Sequence, residues 1–223
     1  TPCQSLDLIT PDAMDYETEQ VLLALKRDVG GDTVAFACDQ LRCTPEELRR
    51  FLSAEQVDAV CMAIRAIQKG GGFILGDQTG VGKGRVAAAT IRYAVENGQK
   101  PPIFFTIKPN LFSDIYRDLC ALGCAHYKPY IVNATNSGIL DAAGKVVYAY
   151  SNNPKEGEYN YILCTYSQIN SEKVSGERRN FISDRAKDAI CILDESHSAS
   201  GASSTTDYMY KMLSLRARGV LFM

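Results

Sequence analysis

Two hydrophobic periods divide the chain. Over the first fifty residues apolar side chains recur at helical spacing: Val21, Leu22 and Leu25 sit among charges between Asp15 and Arg27. A second short helix is expected from Val34 to Leu41, ended by Arg42-Cys43. Thr44-Pro45-Glu46-Glu47 opens a third, because Thr44 can cap, Pro45 suits the first turn and Glu47 closes a capping box. Ser53-Ala54-Glu55-Gln56 repeats that start signal for a helix to about Gln68, which Gly70-Gly71-Gly72 ends. The short helices around Thr44 have helix-turn-helix spacing, but the second lacks a basic face, so a plain helical hairpin is expected.

From Gly72 onward short apolar runs alternate with helical stretches, the signature of a parallel sheet covered on both faces. The candidate strands are Phe73–Leu75, Ile103–Ile107, Tyr130–Val132, Val146–Tyr150, Tyr161–Thr165, Ala189–Leu193 and Gly219–Met223. Asn97-Gly98 stops one helix, and Asn110 is expected to cap the helix holding Ile115, Tyr116, Leu119 and Leu122. Asn133–Lys145 and Ser151–Glu158 read as polar surface excursions, and Ser198–Thr206 as a flexible connector. The expected fold is α/β: a helical segment over residues 1–52, then a parallel sheet flanked by helices over 53–223.

Composition narrows the function classes. A net charge of −2 over 223 residues excludes a globally basic nucleic-acid binder while permitting a local basic path. No apolar run approaches a membrane span, and no signal-peptide pattern opens the chain. The eight cysteines lie in apolar settings such as Ile162-Leu163-Cys164, which reads as buried reduced thiols in a cytosolic compartment. With two histidines in the chain, Cys38/Cys43 and Cys120/Cys124 make no convincing zinc site. Both ends read as cut: the chain opens at Thr1 without Met and stops inside the apolar run Gly219–Met223.

The chemistry concentrates in Gly76-Asp77-Gln78-Thr79-Gly80-Val81-Gly82-Lys83-Gly84-Arg85, between the apolar run Phe73-Ile74-Leu75 and the helix-like run from Val86 to Ile91. Strand, glycine-rich turn with one lysine, then helix is the geometry that holds nucleotide phosphates. Turn N–H groups point at the anion, the helix N-terminus adds its dipole and Lys83 adds a full charge. The strict pattern asks for Gly where Asp77 stands and for a hydroxyl where Gly84 stands. Ile190-Cys191-Ile192-Leu193-Asp194-Glu195-Ser196-His197 is the second element, an apolar strand ending in two carboxylates and a histidine. There Asp194 would hold a nucleotide-bound Mg2+, and Glu195 would orient or deprotonate the attacking water. Alone, the first element also reads as a tight connection and the second as a helix cap.

Thr79-Gly80-Val81-Gly82-Lys83 with Asp194-Glu195-Ser196-His197 resembles motifs I and II of superfamily 2 helicases and translocases. The longer phrase Gly76–Arg85, with Gly84 after the lysine, resembles the strawberry notch family of helicase-like proteins, as does Lys108-Pro109-Asn110-Leu111-Phe112-Ser113-Asp114. The resemblance covers about residues 53 to 223. It implies a first RecA-like lobe that binds ATP and Mg2+, stopping just before motif III, with a second lobe in a longer chain supplying arginines. It also implies nucleic acid, DNA foremost, as partner, with a cytoplasmic setting in bacteria, plasmids or phages and a nuclear one in eukaryotes. The alternatives are a nucleotide-dependent regulatory module without strand unwinding and an unrelated P-loop kinase, which would have no need of the Asp194–His197 tetrad.

Residue by residue, the resemblance gives Thr79 through Arg85 to the phosphates. Lys83, Asp194, Glu195 and His197 become the catalytic set, with His197 linking to motif III. Gln56 falls where relatives read adenine, yet it equally completes the capping box with Ser53. Arg85 equally faces solvent. Thr106–Asn110 and Thr165–Gln168 fall where motifs Ia and Ib touch a nucleic-acid backbone, and both also fit simple capping. Without a hydroxyl at Gly84 one direct Mg2+ ligand is missing, and Thr79 or water would substitute.

Overall fold

The computed structural model describes the chain apart from residues 1, 2, 7–11, 77–80, 133–137, 142, 150, 152, 171 and 200–202, and apart from the side chains of 12–14 and 172–175. Helices α1 (Asp12–Asp28), α2 (Thr33–Leu41), α3 (Pro45–Phe51) and α4 (Ala54–Gln68) come first. Both expected capping boxes form. The Thr44 hydroxyl accepts from Glu47 N–H, and the Glu47 carboxylate accepts from Thr44 N–H. Ser53 and Gln56 do the same. Leu25, Leu41, Leu48, Phe51 and Leu52 join one core with residues of the later helices and strands, so the N-terminal helices pack onto the sheet domain.

Six parallel strands follow in spatial order β1-β8-β7-β2-β6-β3. They are β1 (Gly72–Ile74), β2 (Lys100–Thr106), β3 (Pro129–Ile131), β6 (Tyr161–Thr165), β7 (Ala189–Leu193) and β8 (Gly219–Phe222). Every residue of β6 and β7 is buried, as expected of strands covered on both faces. Helices α5 (Lys83–Glu96) and α6 (Leu111–Ala121) carry the chain from β1 to β2 to β3 over one face, beside α4. Helices α7 (Glu172–Ala186) and α8 (Ser204–Arg216) return it from β6 to β7 to β8. Each set packs into its own hydrophobic cluster, one per face of the sheet.

Three local expectations need correction. The run Val146–Tyr150 contributes β5 (Val146–Ala149), which lies outside the parallel sheet and pairs antiparallel with β4 (Gly138–Leu140), inside what reads as a polar excursion. Its outward Val146 and Val147 stay exposed, so apolar content alone did not place it in the core. Asn110 does not cap α6 with its side chain: its backbone is already helical (φ −63, ψ −28), and the first N–H groups are met by Lys108 O and Pro109 O. Of the connector Ser198–Thr206, residues 200–202 lie outside the described ones, while a 3-10 turn spans Ser196–Ala199 and Ser203 caps α8 by accepting from Thr206 N–H.

All eight cysteines are unpaired. Burial pushes the thiols of Cys61 and Cys191 up to about 12, which keeps them protonated and inert. Among the described residues no helix is long and apolar enough to cross a membrane.

Candidate nucleotide site

All strands of the main sheet run the same way, so their carboxyl ends share one edge, where open α/β sheets place ligands. The lysine side of the site begins at β1, an edge strand extended by Leu75 N–H donating to Phe222 O at 2.8 Å. Thr79 and Gly80, with Asp77 and Gln78, lie outside the described residues. The chain is described again at Val81, and Gly82 starts α5 with a left-handed backbone (φ 85) that favours glycine. Lys83 and Gly84 are the first residues of α5, at the positive end of its dipole.

Side chains from distant elements hold this turn. Gln56 keeps its cap, its Oε1 accepting from Ser53 N–H, and also donates from Nε2 to Val81 O at 3.0 Å. One amide therefore joins α4 to the loop. Arg85 is half-buried: Nε donates to Asp118 Oδ1 at 3.1 Å and a terminal nitrogen to Phe51 O at 2.9 Å.

The carboxylate side lies two strands away, with β8 between, a gap of about 10 Å at ordinary strand spacing. Asp194 follows β7 directly, and its N–H donates to Phe105 O at 2.8 Å. Thr106 Oγ1 donates to Asp194 Oδ2 at 2.8 Å, and Tyr166 OH donates to Asp194 O at 2.9 Å. Burial raises the Asp194 carboxyl above its ordinary value, and the Glu195 carboxylate adds to this. The Thr106 hydroxyl, the positive field of Lys83 and the Glu195 N–H pull it back.

Glu195 takes a left-handed backbone (φ 50), uncommon for a side-chain-bearing residue. It is secured by Ser196 N–H donating to Met223 O and Ser198 N–H donating to Glu195 O, both at 2.8 Å. Its exposed carboxylate lies 3.4 Å from Nδ1 of the exposed His197. His197 also lines a cavity of about 730 Å³ on the α8 side, with Met209, Tyr210 and Phe222. That cavity borders the carboxylate side, and no described residue of the Gly76–Arg85 loop lines it.

Sequence reasoning read two contributors otherwise and missed a third. Thr106 reads as a backbone-contacting residue but is fully buried against Asp194, and Thr165 is nearly so, its hydroxyl beside Ser167. Tyr166, inside the same Thr165–Gln168 stretch, donates its hydroxyl to Asp194 O, 28 residues away. Asp118 carried no signal, because its partner Arg85 lies 33 residues away.

A glycine-rich turn feeding a lysine-led helix, facing an aspartate across an inserted strand, places this chain among the P-loop nucleotide hydrolases. Residues 37–218 match the family model described as P-loop containing NTP hydrolase pore-1, and the chain belongs to that family. It is 30% identical over 165 residues to the strawberry notch homolog 1 of Gallus gallus, covering 67% of this chain and 12% of the relative. Homolog 2 of Mus musculus is 30% identical over 167 residues, covering 69% and 11%. Strawberry notch of Drosophila melanogaster is 28% identical over 162 residues, covering 66% and 9%. The chain therefore spans about a tenth of the length of these relatives.

Proposed function

We propose that this chain is the first nucleotide-binding lobe of a superfamily 2 type ATPase that couples hydrolysis to translocation on, or remodelling of, nucleic acid, DNA foremost. The observation that carries the reading is placement: Lys83 opens α5 and Asp194 ends β7 at the same carboxyl edge of the parallel sheet, with β8 between. Lys83 neutralises phosphate charge, helped by the N–H groups of the first turn of α5. Glu195 holds or deprotonates the attacking water, and His197 beside it keeps that carboxylate oriented.

The donor set fits a hard divalent cation. Thr106 engages Oδ2 of Asp194, and burial leaves the carboxylate poorly compensated, which a cation would relieve. Among the described residues no cluster of three or more acidic, histidine or cysteine groups stands ready for a metal. Mg2+ would therefore be held by Asp194, the nucleotide phosphates and water, where it neutralises charge on the transferring phosphoryl group.

Nucleic acid would lie along the same sheet edge. Both strand-end threonines are buried, but Lys108 and Asn110 after β2, with Ser167 and Asn170 after β6, are exposed there. A second lobe in a longer protein would complete the clamp, so the 223-residue chain alone should bind nucleotide weakly and hydrolyse it slowly.

The test pairs binding of a fluorescent ATP analogue to this chain, wild type and Lys83→Ala, with hydrolysis by the longer protein with and without single- and double-stranded DNA. Loss of binding in the variant and stimulation by DNA are expected. Equal binding by Lys83→Ala would remove the site. Binding without stimulation by nucleic acid would replace the motor with a nucleotide-dependent regulatory module.

A further inference from the structure

Gly84 stands where a phosphate loop of the usual pattern carries Ser or Thr. A Cβ built on Gly84 would lie 2.3 Å from Asp118 Oδ2 and 3.5 Å from its Cγ. The space a side chain at 84 would need is therefore filled by a carboxylate from α6. That carboxylate is mostly buried, 17% exposed, and its other oxygen accepts from Arg85 Nε at 3.1 Å. Arg85 in turn donates to Phe51 O, the last residue of α3.

We infer that Asp118 is a positioning residue of the nucleotide site: it takes the place of the side chain at 84, sets any side chain there against its own ion pair with Arg85, and holds the Lys83 end of α5 through Arg85. The inference rests on the nucleotide-site reading above. The contact could be relieved if Asp118 swung aside, since it is the end of a side chain. Doing so would break the ion pair with Arg85 and the link from α6 through Arg85 to α3. A hydroxyl at 84 thus comes at the expense of the brace that places Lys83. Its absence is built into the packing, so adding it alone does not improve metal or nucleotide binding.

A double-mutant cycle tests this, with nucleotide affinity measured in Mg2+ by a fluorescent ATP analogue and unfolding followed on the same samples. Gly84→Ser should weaken binding by about tenfold or more in the wild-type background, the scale of overpacking a tight site. In the Asp118→Ala background the same substitution should cost less than about twofold, because its Cβ now has room. Asp118→Ala alone should weaken binding by about fivefold at a temperature where it remains folded, since Arg85 loses its anchor.

Equal penalties for Gly84→Ser in both backgrounds would overturn the inference, as would unchanged binding in the single variant. Should Gly84→Ser not fold, the melting temperatures decide: the double variant should melt above Gly84→Ser, and a lower value sinks the idea. Lys83→Ala separates the two failures. If it binds as wild type, the nucleotide site is wrong; if it loses binding while Gly84→Ser is tolerated, only the role of Asp118 is wrong.

Discussion

The two sides of the site are held by different means. The carboxylate side hangs from the middle of the sheet. Asp194 follows a five-residue strand buried throughout; Phe105 O, Thr106 and the Met223 backbone hold the turn from the adjacent chain ends, and Tyr166 reaches it from beyond β6, one strand further out. The lysine side starts from a three-residue edge strand, so the ladder fixes little. Its position comes from α5 and the turn before it, tied by Gln56 of α4 to Val81 O and by Arg85 of α5 itself to Asp118 of α6 and to the Phe51 carbonyl ending α3. A central strand delivers its carboxylate by main-chain pairing, whereas an edge strand needs braces. Substitutions on the lysine side should therefore cost more stability than those on the carboxylate side.

Arg92 offers the strongest test. It is buried in α5, where its guanidinium donates to Leu41 O at 2.7 Å, to Arg42 O at 3.0 Å and to Leu122 O. It also lies 5.1 Å from the centre of the Phe51 ring. Its partners are the C-terminal carbonyls of α2 and α6, which welcome a cation. Arg92→Met keeps the apolar bulk and leaves those carbonyls without a donor, at a cost of about 3 kcal/mol or more in urea unfolding. A loss below that of any carboxylate-side variant would reverse the contrast.

On the carboxylate side the sign of the effect changes. Asp194 is raised in the folded state, so the native chain holds a proton that the unfolded chain releases as pH climbs past the ordinary aspartate value near 3.8. That contribution is fully present below the unfolded value and is lost as pH rises through the raised one, leaving a cost at neutral pH. Asp194→Asn should therefore raise the melting temperature of the nucleotide-free chain at neutral pH while abolishing the Mg2+ dependence of nucleotide binding. Thr106→Val removes the hydrogen bond that favours the ionised form. It should cost about 1.5 kcal/mol and move the acid limit of Mg2+-dependent binding to higher pH. A binding profile with the same acid limit in both proteins would show that Thr106 does not hold the carboxylate.

The contrast also explains how much the sequence disclosed. Both capping boxes, the glycine-rich turn into the α5 helix, and the strand leading to Asp194 were legible because each depends on residues within a few positions of one another. The braces were not. Arg85 and Asp118 are 33 residues apart, and Arg92 reaches back 51 residues to Leu41. No local period connects them. Helix α7 was obscure for a related reason: its apolar residues form no clear stripe, and Arg179 ties it to Ile169 O and Ser204. The β4–β5 hairpin misleads because a run such as Val146-Val147-Tyr148 is as apolar as a core strand, while its partner strand has only three residues, the first a glycine.

Gln56 is the mildest probe, and it separates cap from brace within one side chain. Gln56→Ala loses the acceptor for Ser53 N–H and the donor to Val81 O together, for about 1 kcal/mol. Gln56→Glu keeps an acceptor for Ser53, so the capping box survives, but its carboxylate has no N–H to give Val81 O. If the tie to Val81 matters only as scaffolding, the two variants should bind nucleotide in proportion to their stabilities. If it sets the loop for phosphate, Gln56→Glu should hold more of the stability than Gln56→Ala yet lose nucleotide affinity by at least as much, about fivefold for one lost hydrogen bond. Unfolding curves and analogue binding on the same two variants decide between these outcomes. A Gln56→Glu protein that binds as wild type would return Gln56 to the cap alone, leaving Arg85 and Asp118 as the braces of the lysine side.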